Sequence, residues 1–506
     1  MEYRHINKII NRKELVFIVL VPLLLLFLCL KGINGNFDTP RTFLNEYNTY
    51  DRNFNLTGHP FEFSRTRSLY MSTISFANEQ SFSFSNSAME LFARGDVGFT
   101  GNDIFSWAQP GTAFVGSFFF KVGSFFNLGQ LFTYSSILFT SLFVHILLYF
   151  IIKKISDQDF FSYEGAFISY IYTFATIALV YSTTYTQHPY TILFISIILF
   201  AIIDTIKKHR YGLWGTVVPL IYGFSIFFDY FNIILLAPVA IAWILISYEI
   251  NKKNNIKIKF ILFTLMGIIS MLFFQKNNFN SFMQLSNTLP SYEVYVKQPD
   301  LFNEKRIQKN SLSHIFTPEK ILNGIKTYFI DNKKSIFAFS PILIFSLFGI
   351  KILWKQKRRF LLLVLMIFFT NIFFYSLFKF PEGGSSFAVR YLLPSFFCLS
   401  ILTGYALLNA KKYFRIIGLL LLFISIANNT AGALTTFSIP RPYNTTYYGI
   451  KNLEFVINNV SGSFVYNYFF RPLPLLYYFL AILFIIILTM IYFIFSKRKL
   501  QILSEK

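Results

Sequence analysis

Acidic residues are scarce in this 506-residue chain: 24 Asp and Glu stand against 46 Lys and Arg, a formal net charge of +22. Cysteine is scarcer still. Cys29 and Cys398 each lie inside an apolar run, which excludes a disulfide framework and a metal–thiolate cluster. The six histidines are scattered without zinc-ligand spacing. The phosphate-cradling and dinucleotide glycine fingerprints are missing, as are HExxH and GxSxG. No internal repeat and no low-complexity linker is evident. Only 14% of residues are charged, too few for a soluble domain of this size.

What is abundant is apolar side chain: 54% hydrophobic and 20% aromatic, with a mean hydropathy of +0.50. That composition predicts an all-α polytopic membrane protein. The positive charge falls in short runs between apolar segments, which excludes a nucleic-acid partner in favour of the positive-inside rule. Candidate spans lie at 15–31, 131–152, 163–184, 188–206, 213–228, 231–248, 259–275, 336–353, 359–379, 390–408, 413–435 and 473–496. The first run meets "KGINGNFD" with no small-residue cleavage site, so it reads as a retained span rather than a signal peptide.

Charge settles one doubtful segment, 111–127. If it spans, "KK" at 153–154 falls outside; if it lies on the outer surface, every short basic run falls in the cytoplasm. It therefore reads as a juxtamembrane helix, leaving about twelve spans with both termini cytoplasmic. The chain then divides into 1–31 (cytoplasmic N-terminus and first span), a first extracytoplasmic loop at 32–130, a transmembrane module at 131–275, a loop at 276–335, spans at 336–435, a loop at 436–472, and a last span with its tail at 473–506.

The stretch "ARGDVGFTGNDIFSWAQPGTAF", 93–114, crowds Asp96 and Asp103 among turn residues just before an apolar run. A Pro-Gly pair opening an interfacial helix fixes the chain before it. Carboxylates on such a loop can act as a general base or hold a divalent cation through oxygen; a loop of this length also carries several acids by default. His188, in "YSTTYTQHP", lies at the outer mouth of a span, either as a plain helix-start residue or as a proton-transfer group. Asp229 sits at the outer end of an apolar hairpin, where an ionisable side chain is a functional candidate or a headgroup-layer carboxylate. Arg390, in "KFPEGGSSFAVRYLLP", opens a span from the outer side with Lys379 and Glu382 nearby. Its planar fork matches phosphate, and its position fits the positive-inside rule poorly. "DQD" at 157–159 resembles a nucleotide-sugar metal motif but falls on the cytoplasmic side and reads as a solvated turn. Sequons at 55, 428, 444 and 459 are of the kind an Asn-rich chain produces by chance.

In order along the chain, "RSLYMSTISFANEQSFSF", "GDVGFTGNDIFSWAQPGTAFVGSFFFKVG", "FATIALVYSTTYTQHPYTILF", "YGFSIFFDY", "FAFSPILIFSLFGIK" and "GGSSFAVRYLLPSFF" span residues 65–400. This series resembles the GT-C membrane glycosyltransferases, in the branch near protein O-mannosyltransferases and the aminoarabinose transferases of lipid A. The resemblance implies a sugar donor on a polyprenyl phosphate, an extracytoplasmic acceptor, and a cell-membrane location. It implies an outer-loop carboxylate as base, usually with inversion, and Arg or Lys on the departing phosphate. The base candidates are Asp96, Asp103 and Asp38; the phosphate candidates are Arg390, Lys379 and Arg67; His188, Asp229, Glu382 and Glu62 are substrate-binding candidates. Two departures stand out. Where relatives begin the first outer loop with Asp-Glu, this chain has Ser64, Arg65 and Thr66; where mannosyltransferase relatives place an Asp in the second outer loop, it has Gln187 and His188. The competing readings are a lipid-linked glycan polymerase or ligase using a diphosphate donor, and a flippase or transporter. The last needs polar residues in mid-span, for which His145, Asn371 and Asn428–Asn429 are the candidates.

Overall fold

The computed structural model describes residues 12–31, 64–84, 96–158, 161–210, 212–251, 255–292, 316–331, 334–384, 386–435 and 448–504. Asp38 and Glu62 lie outside the described residues. Among the described residues, seven helices are long and apolar enough to cross a membrane: Gly129–Ile155, His188–Lys208, Lys257–Phe279, Arg358–Ser376, Arg390–Leu408, Lys412–Leu434 and Leu475–Lys497. The chain is a multi-pass membrane protein. The other five candidate spans are helical but built from shorter pieces. Residues 163–184, for instance, divide into Tyr163–Phe174 and Ala178–Ser182, and 336–353 into Ile336–Phe339, Pro341–Phe345 and Ser346–Gln356. The break in the latter falls at Pro341, which has no N–H to continue the ladder.

The long helices are apolar on every side, as expected where one face meets protein and the other meets lipid. In Leu475–Ser504, Ile482, Ile486 and Phe493 are buried while Leu480, Phe484 and Phe495 are exposed. The helices Trp214–Phe224 and Asn255–Phe279 touch backbone to backbone through Gly223 and Gly267; a Cβ on Gly223 would stand 2.0 Å from the Thr264 carbonyl oxygen. Small residues at the crossing are what lipid-embedded helices need to gain close packing.

Among the described residues, lysines of the basic runs at 153–154, 207–210, 355–359 and 497–499 gather at one end of the bundle. Glu14 accepts from Lys153 at 2.5 Å, Asp204 pairs with Lys154 and with Lys208, Asp157 pairs with Lys207, Lys497 reaches Glu164 at 3.4 Å, and Lys357 donates to the Ile155 carbonyl at 2.9 Å. Asp157 of "DQD" is thus part of an ion-pair cluster. At the opposite end Lys31 is buried, with its ammonium on the Gly432 carbonyl at 2.9 Å. There the Lys31 and Phe464 amides bond to Thr183 and Leu30.

The polar mid-span residues are occupied in packing. His145 bonds to Thr173 at 2.8 Å and Ser169 at 3.4 Å. Asn371 accepts from the Ser395 hydroxyl at 2.6 Å, and Asn429 donates to the Phe339 carbonyl at 3.1 Å. They tie helices together and line no described passage.

The described part of 32–130 contributes the helix Ser64–Glu79 and the helix Pro110–Ser124, both anticipated, and a three-stranded antiparallel sheet that was not. Its strands are β1 Ser83–Phe84, β2 Val97–Phe99 and β3 Ile104–Ser106, in the order β1-β3-β2. The hairpin β2–β3 turns through Thr100–Asp103, where the Thr100 amide donates to the Asp103 carbonyl at 3.0 Å. Gly98 lets this hairpin lie on the 285–291 segment: a Cβ there would stand 2.4 Å from Leu289 Cβ and 2.9 Å from the Trp107 indole nitrogen. Gly98→Val is therefore expected to wedge the two apart and to destabilise by about 1–3 kcal/mol. The check is a lowered melting temperature in detergent; an unchanged one would show that the contact is not needed.

Candidate functional site

The hairpin separates the two aspartates of the opening stretch. Asp96 lies at its open end, where its carbonyl accepts from the Trp107 amide at 2.9 Å. Asp103 lies at the closed tip and is exposed. Three strand residues intervene, four steps of about 3.3 Å or roughly 13 Å in all, so the two cannot share a small site. Asp96 adopts a left-handed backbone, φ +60°. Asp is among the few side chains that tolerate this conformation, and it turns the chain sharply at the entry to β2.

Asp96 opens onto a cavity of about 450 Å³. Its cationic wall is Arg390, Arg65 and Lys379; its acidic groups are Asp96 and Asp229; Gln109, Gln187, Asn287, His188 and Trp107 supply neutral polar groups; and Phe231, Tyr375, Phe378 and Tyr391 supply aromatic faces. Arg390 is 7% exposed. One guanidinium N–H donates to the Tyr391 hydroxyl at 3.2 Å, and Asp96 is near enough to act on Arg390 electrostatically. Tyr391 stacks on Tyr375 at 4.9 Å and 13°, and its carbonyl accepts from Asn371 at 3.1 Å. The cation is thus held on a rigid shelf at the mouth of its helix.

His188 opens the helix His188–Lys208 with Pro189 behind it. Its ring stands edge-on between Tyr181 and Tyr391, at 6.3 and 5.8 Å. Asp229 sits in a turn fixed by Asn232, which donates to Ser225 and accepts from Thr191 at 2.8 Å. The Phe231 amide donates to Asp229 Oδ1 at 3.1 Å. Burial raises the Asp229 carboxyl to about 6, while the Phe231 amide and Arg65 pull it the other way.

Several lining residues carry buried polar atoms with no hydrogen-bond partner among the described residues, among them Arg65 Nε, Trp107 Nε1, Gln109 Oε1 and Asn287 Oδ1. Buried polar groups are ordinarily satisfied, so hydrogen-bonding capacity is left over around this cavity. Among the described residues no group of three His, Cys, Asp or Glu side chains converges as a metal cluster would.

Of the candidates read from sequence, Asp96, Arg390, Lys379, His188 and Asp229 come together. Asp103, Arg67 and Glu382 do not line the cavity. Arg67 follows Arg65 by two positions on the helix Ser64–Glu79, about 200° around its axis, so the two face opposite ways. Arg65 is the one that lines the cavity. Glu382 is half-buried in the loop before Arg390. Arg65, Trp107, Gln109, Asn287, Tyr375 and Tyr391 were not singled out as site residues. Trp107 and Gln109 were in plain view within the 93–114 stretch; Asn287, in a loop nearly 200 residues away, carries no signal in the sequence.

Beside the polar cavity runs an open apolar groove of about 690 Å³ along the helix Arg358–Ser376, lined by Ile234, Leu362, Met366, Phe369, Phe373 and Phe374 among others. Phe231, Phe374 and Phe378 pack tilted or edge-on at 5.2–5.6 Å between the two spaces.

No family model and no curated protein sequence matches the chain. Among solved structures it is similar to ArnT from Cupriavidus metallidurans bound to undecaprenyl phosphate, with 15% identity and a TM-score of 0.46 over 95% of this chain and 75% of that one. The apo form of the same protein gives 14% identity and 0.46 over 96% and 76%. The archaeal oligosaccharyltransferase AglB from Archaeoglobus fulgidus, in complex with an inhibitory peptide and a dolichol-phosphate, gives 12% and 0.44 over 87% and 59%.

Proposed function

We propose that this chain is an integral-membrane glycosyltransferase that moves a sugar from a polyprenyl-phosphate donor to an acceptor on the outer side of the cell membrane. The observation that carries the reading is the pairing of a buried Arg390 and an Asp96 carboxylate in one cavity, next to an apolar groove open to lipid. A donor with a charged head and an isoprenoid tail needs both kinds of surface side by side. The resemblance to the GT-C enzymes supports the same chemistry. The clustering of the basic runs at the far end of the bundle supports cytoplasmic termini and an outer-facing cavity.

Arg390 and Arg65 hold the phosphate, Arg390 with its fork and Arg65 from the helix facing it; Lys379 adds charge at the rim. The amide side chains of Gln109, Gln187 and Asn287 in the lining take the sugar hydroxyls. Asp96 accepts the proton of the acceptor nucleophile as it attacks the anomeric carbon. The glycosyl–phosphate C–O bond breaks, and the lipid phosphate departs with its electron pair onto fixed positive charge. His188, packed against Tyr391, and Asp229 orient the substrates in the same cavity.

The test is transfer by purified protein in detergent or liposomes, supplied with labelled sugar on a polyprenyl monophosphate or on a diphosphate. Transfer from the monophosphate alone is expected. Transfer only from the diphosphate would favour a polymerase or ligase, and transport without a new covalent product would favour a flippase.

Asp229 gives this reading a pH dependence. Its carboxylate prevails only above about pH 6, so kcat/KM is expected to rise with pH through a midpoint near 6. In Asp229→Asn that limb should vanish, leaving a lower, flatter profile; an unchanged limb would assign it to another group. For stability the sign is reversed. A folded-state value above the ordinary carboxyl one means that Asp229 costs stability as pH rises from about 4 to 6.

A further inference from the structure

Lys334 belongs to neither wall of the cavity, yet it is 6% exposed. It stands one residue before Ser335, whose hydroxyl caps the helix Ile336–Phe339 by accepting from the Ala338 amide at 3.2 Å. Its ammonium donates to the Gly384 carbonyl at 2.6 Å and to the Ser386 carbonyl at 2.5 Å. Those carbonyls belong to the loop that leads into Arg390. The loop needs its glycines, with φ +74° at Gly383 and +73° at Gly384, and it takes Ala388 to φ +50°. Ser386 donates back to the Gly383 carbonyl at 3.0 Å, and Tyr181 donates to the Phe387 carbonyl at 2.6 Å. A Cβ on Gly383 would stand 3.5 Å from Arg390 Cγ, so the loop rests directly on the arginine stem.

We infer that Lys334 is the positioning residue for Arg390, and that its ammonium couples capture of an anionic lipid phosphate in the cavity to retention of its own proton. The inference rests on the functional reading above. Two buried cations face each other across this loop. Arg390 works against the charged form of Lys334, while Glu382 and Asp331 favour it. Burial, the largest influence, brings the ammonium down to about 7. A phosphate held by Arg390 cancels the repulsion and favours the protonated lysine. By linkage the protonated lysine favours the phosphate to the same extent. The neutral amine keeps hydrogens for both carbonyls, so deprotonation alters the charge behind Arg390 without unfastening the loop.

The experiment is equilibrium binding of a polyprenyl monophosphate to the detergent-solubilised full chain between pH 7 and 9. Over this range the phosphate, whose second ionisation lies near 6, is already dianionic. Wild type is expected to bind five- to tenfold more weakly at pH 9 than at pH 7. Lys334→Arg, which cannot lose its charge in this range, should bind tightly and flatly. Lys334→Met should bind weakly and flatly. Tyr391→Phe should keep the wild-type slope, separating the lysine from the phenol that touches Arg390. A flat wild-type profile, or a slope that survives in Lys334→Arg, overturns the inference. The comparison with Lys334→Arg stands even where Lys334→Met fails to fold. If wild type binds no polyprenyl monophosphate at any pH, the functional reading falls and this inference with it, whereas tight binding with no sugar transfer leaves the lysine coupling in place.

Discussion

Arg390→Met is expected to lower sugar transfer by about 10²–10³-fold, the usual consequence of removing a preorganised group that stabilises charge developing in the transition state. On the proposed reading the leaving group is a phosphate on a lipid, and Arg390 is a buried cation lining the polar cavity that lies beside the apolar groove. Arg390→Lys should recover only part of the loss. An ammonium lacks the planar fork, and it cannot at once donate to the Tyr391 hydroxyl and present two parallel N–H groups to a phosphate. The fold should survive both changes. The shelf under Arg390 is made by Tyr375, Tyr391 and Asn371, whose ring stacking and amide bond to one another do not involve the guanidinium. Rates measured beside melting temperatures separate the two effects. Full activity in Arg390→Met would remove the phosphate assignment.

Asp96→Asn is the second large effect, a loss of about 10²–10⁴-fold in kcat as expected for removal of a general base. The substitution is well matched to the site. Asn tolerates the left-handed backbone that position 96 requires, so the hairpin and its bond to Trp107 should persist. Binding of a polyprenyl monophosphate should weaken little or even tighten, since an acid near Arg390 has been neutralised. Asp103→Asn, at the exposed hairpin tip, should leave transfer within about twofold of wild type, in line with surface changes generally. A large loss in Asp103→Asn with a small one in Asp96→Asn would reverse the assignment.

Much of the bundle was legible because bilayer physics writes itself into sequence. Apolar runs of sufficient length, short basic runs between them, and the Pro-Gly start at 110–111 each correspond to a described element. The small sheet was not foreseen, although "VGFTGNDIFS" has the form of a hairpin, two short apolar runs around a Gly-Asn-Asp turn. Missing it made Asp96 and Asp103 look like partners, when two-residue alternation and a tight turn send them to opposite ends. The helix Ser64–Glu79 was anticipated, but a one-face reading would have preferred Arg65 to Arg67 only if the direction of the cavity were already known. Asn287 is brought to the cavity, and Lys334 to the loop that leads into Arg390, by chain reversals that no local pattern encodes, and only the assembled fold reveals them.

The most direct test is the structure of the protein with a bound polyprenyl monophosphate, determined by electron cryomicroscopy in lipid nanodiscs. The account predicts the phosphate within hydrogen-bonding distance of the Arg390 guanidinium, Asp96 across the same cavity, and the first isoprene units in the groove of Met366, Phe369 and Phe373. Density for the phosphate at the opposite, lysine-rich end of the bundle, or anywhere out of reach of Arg390, would contradict it.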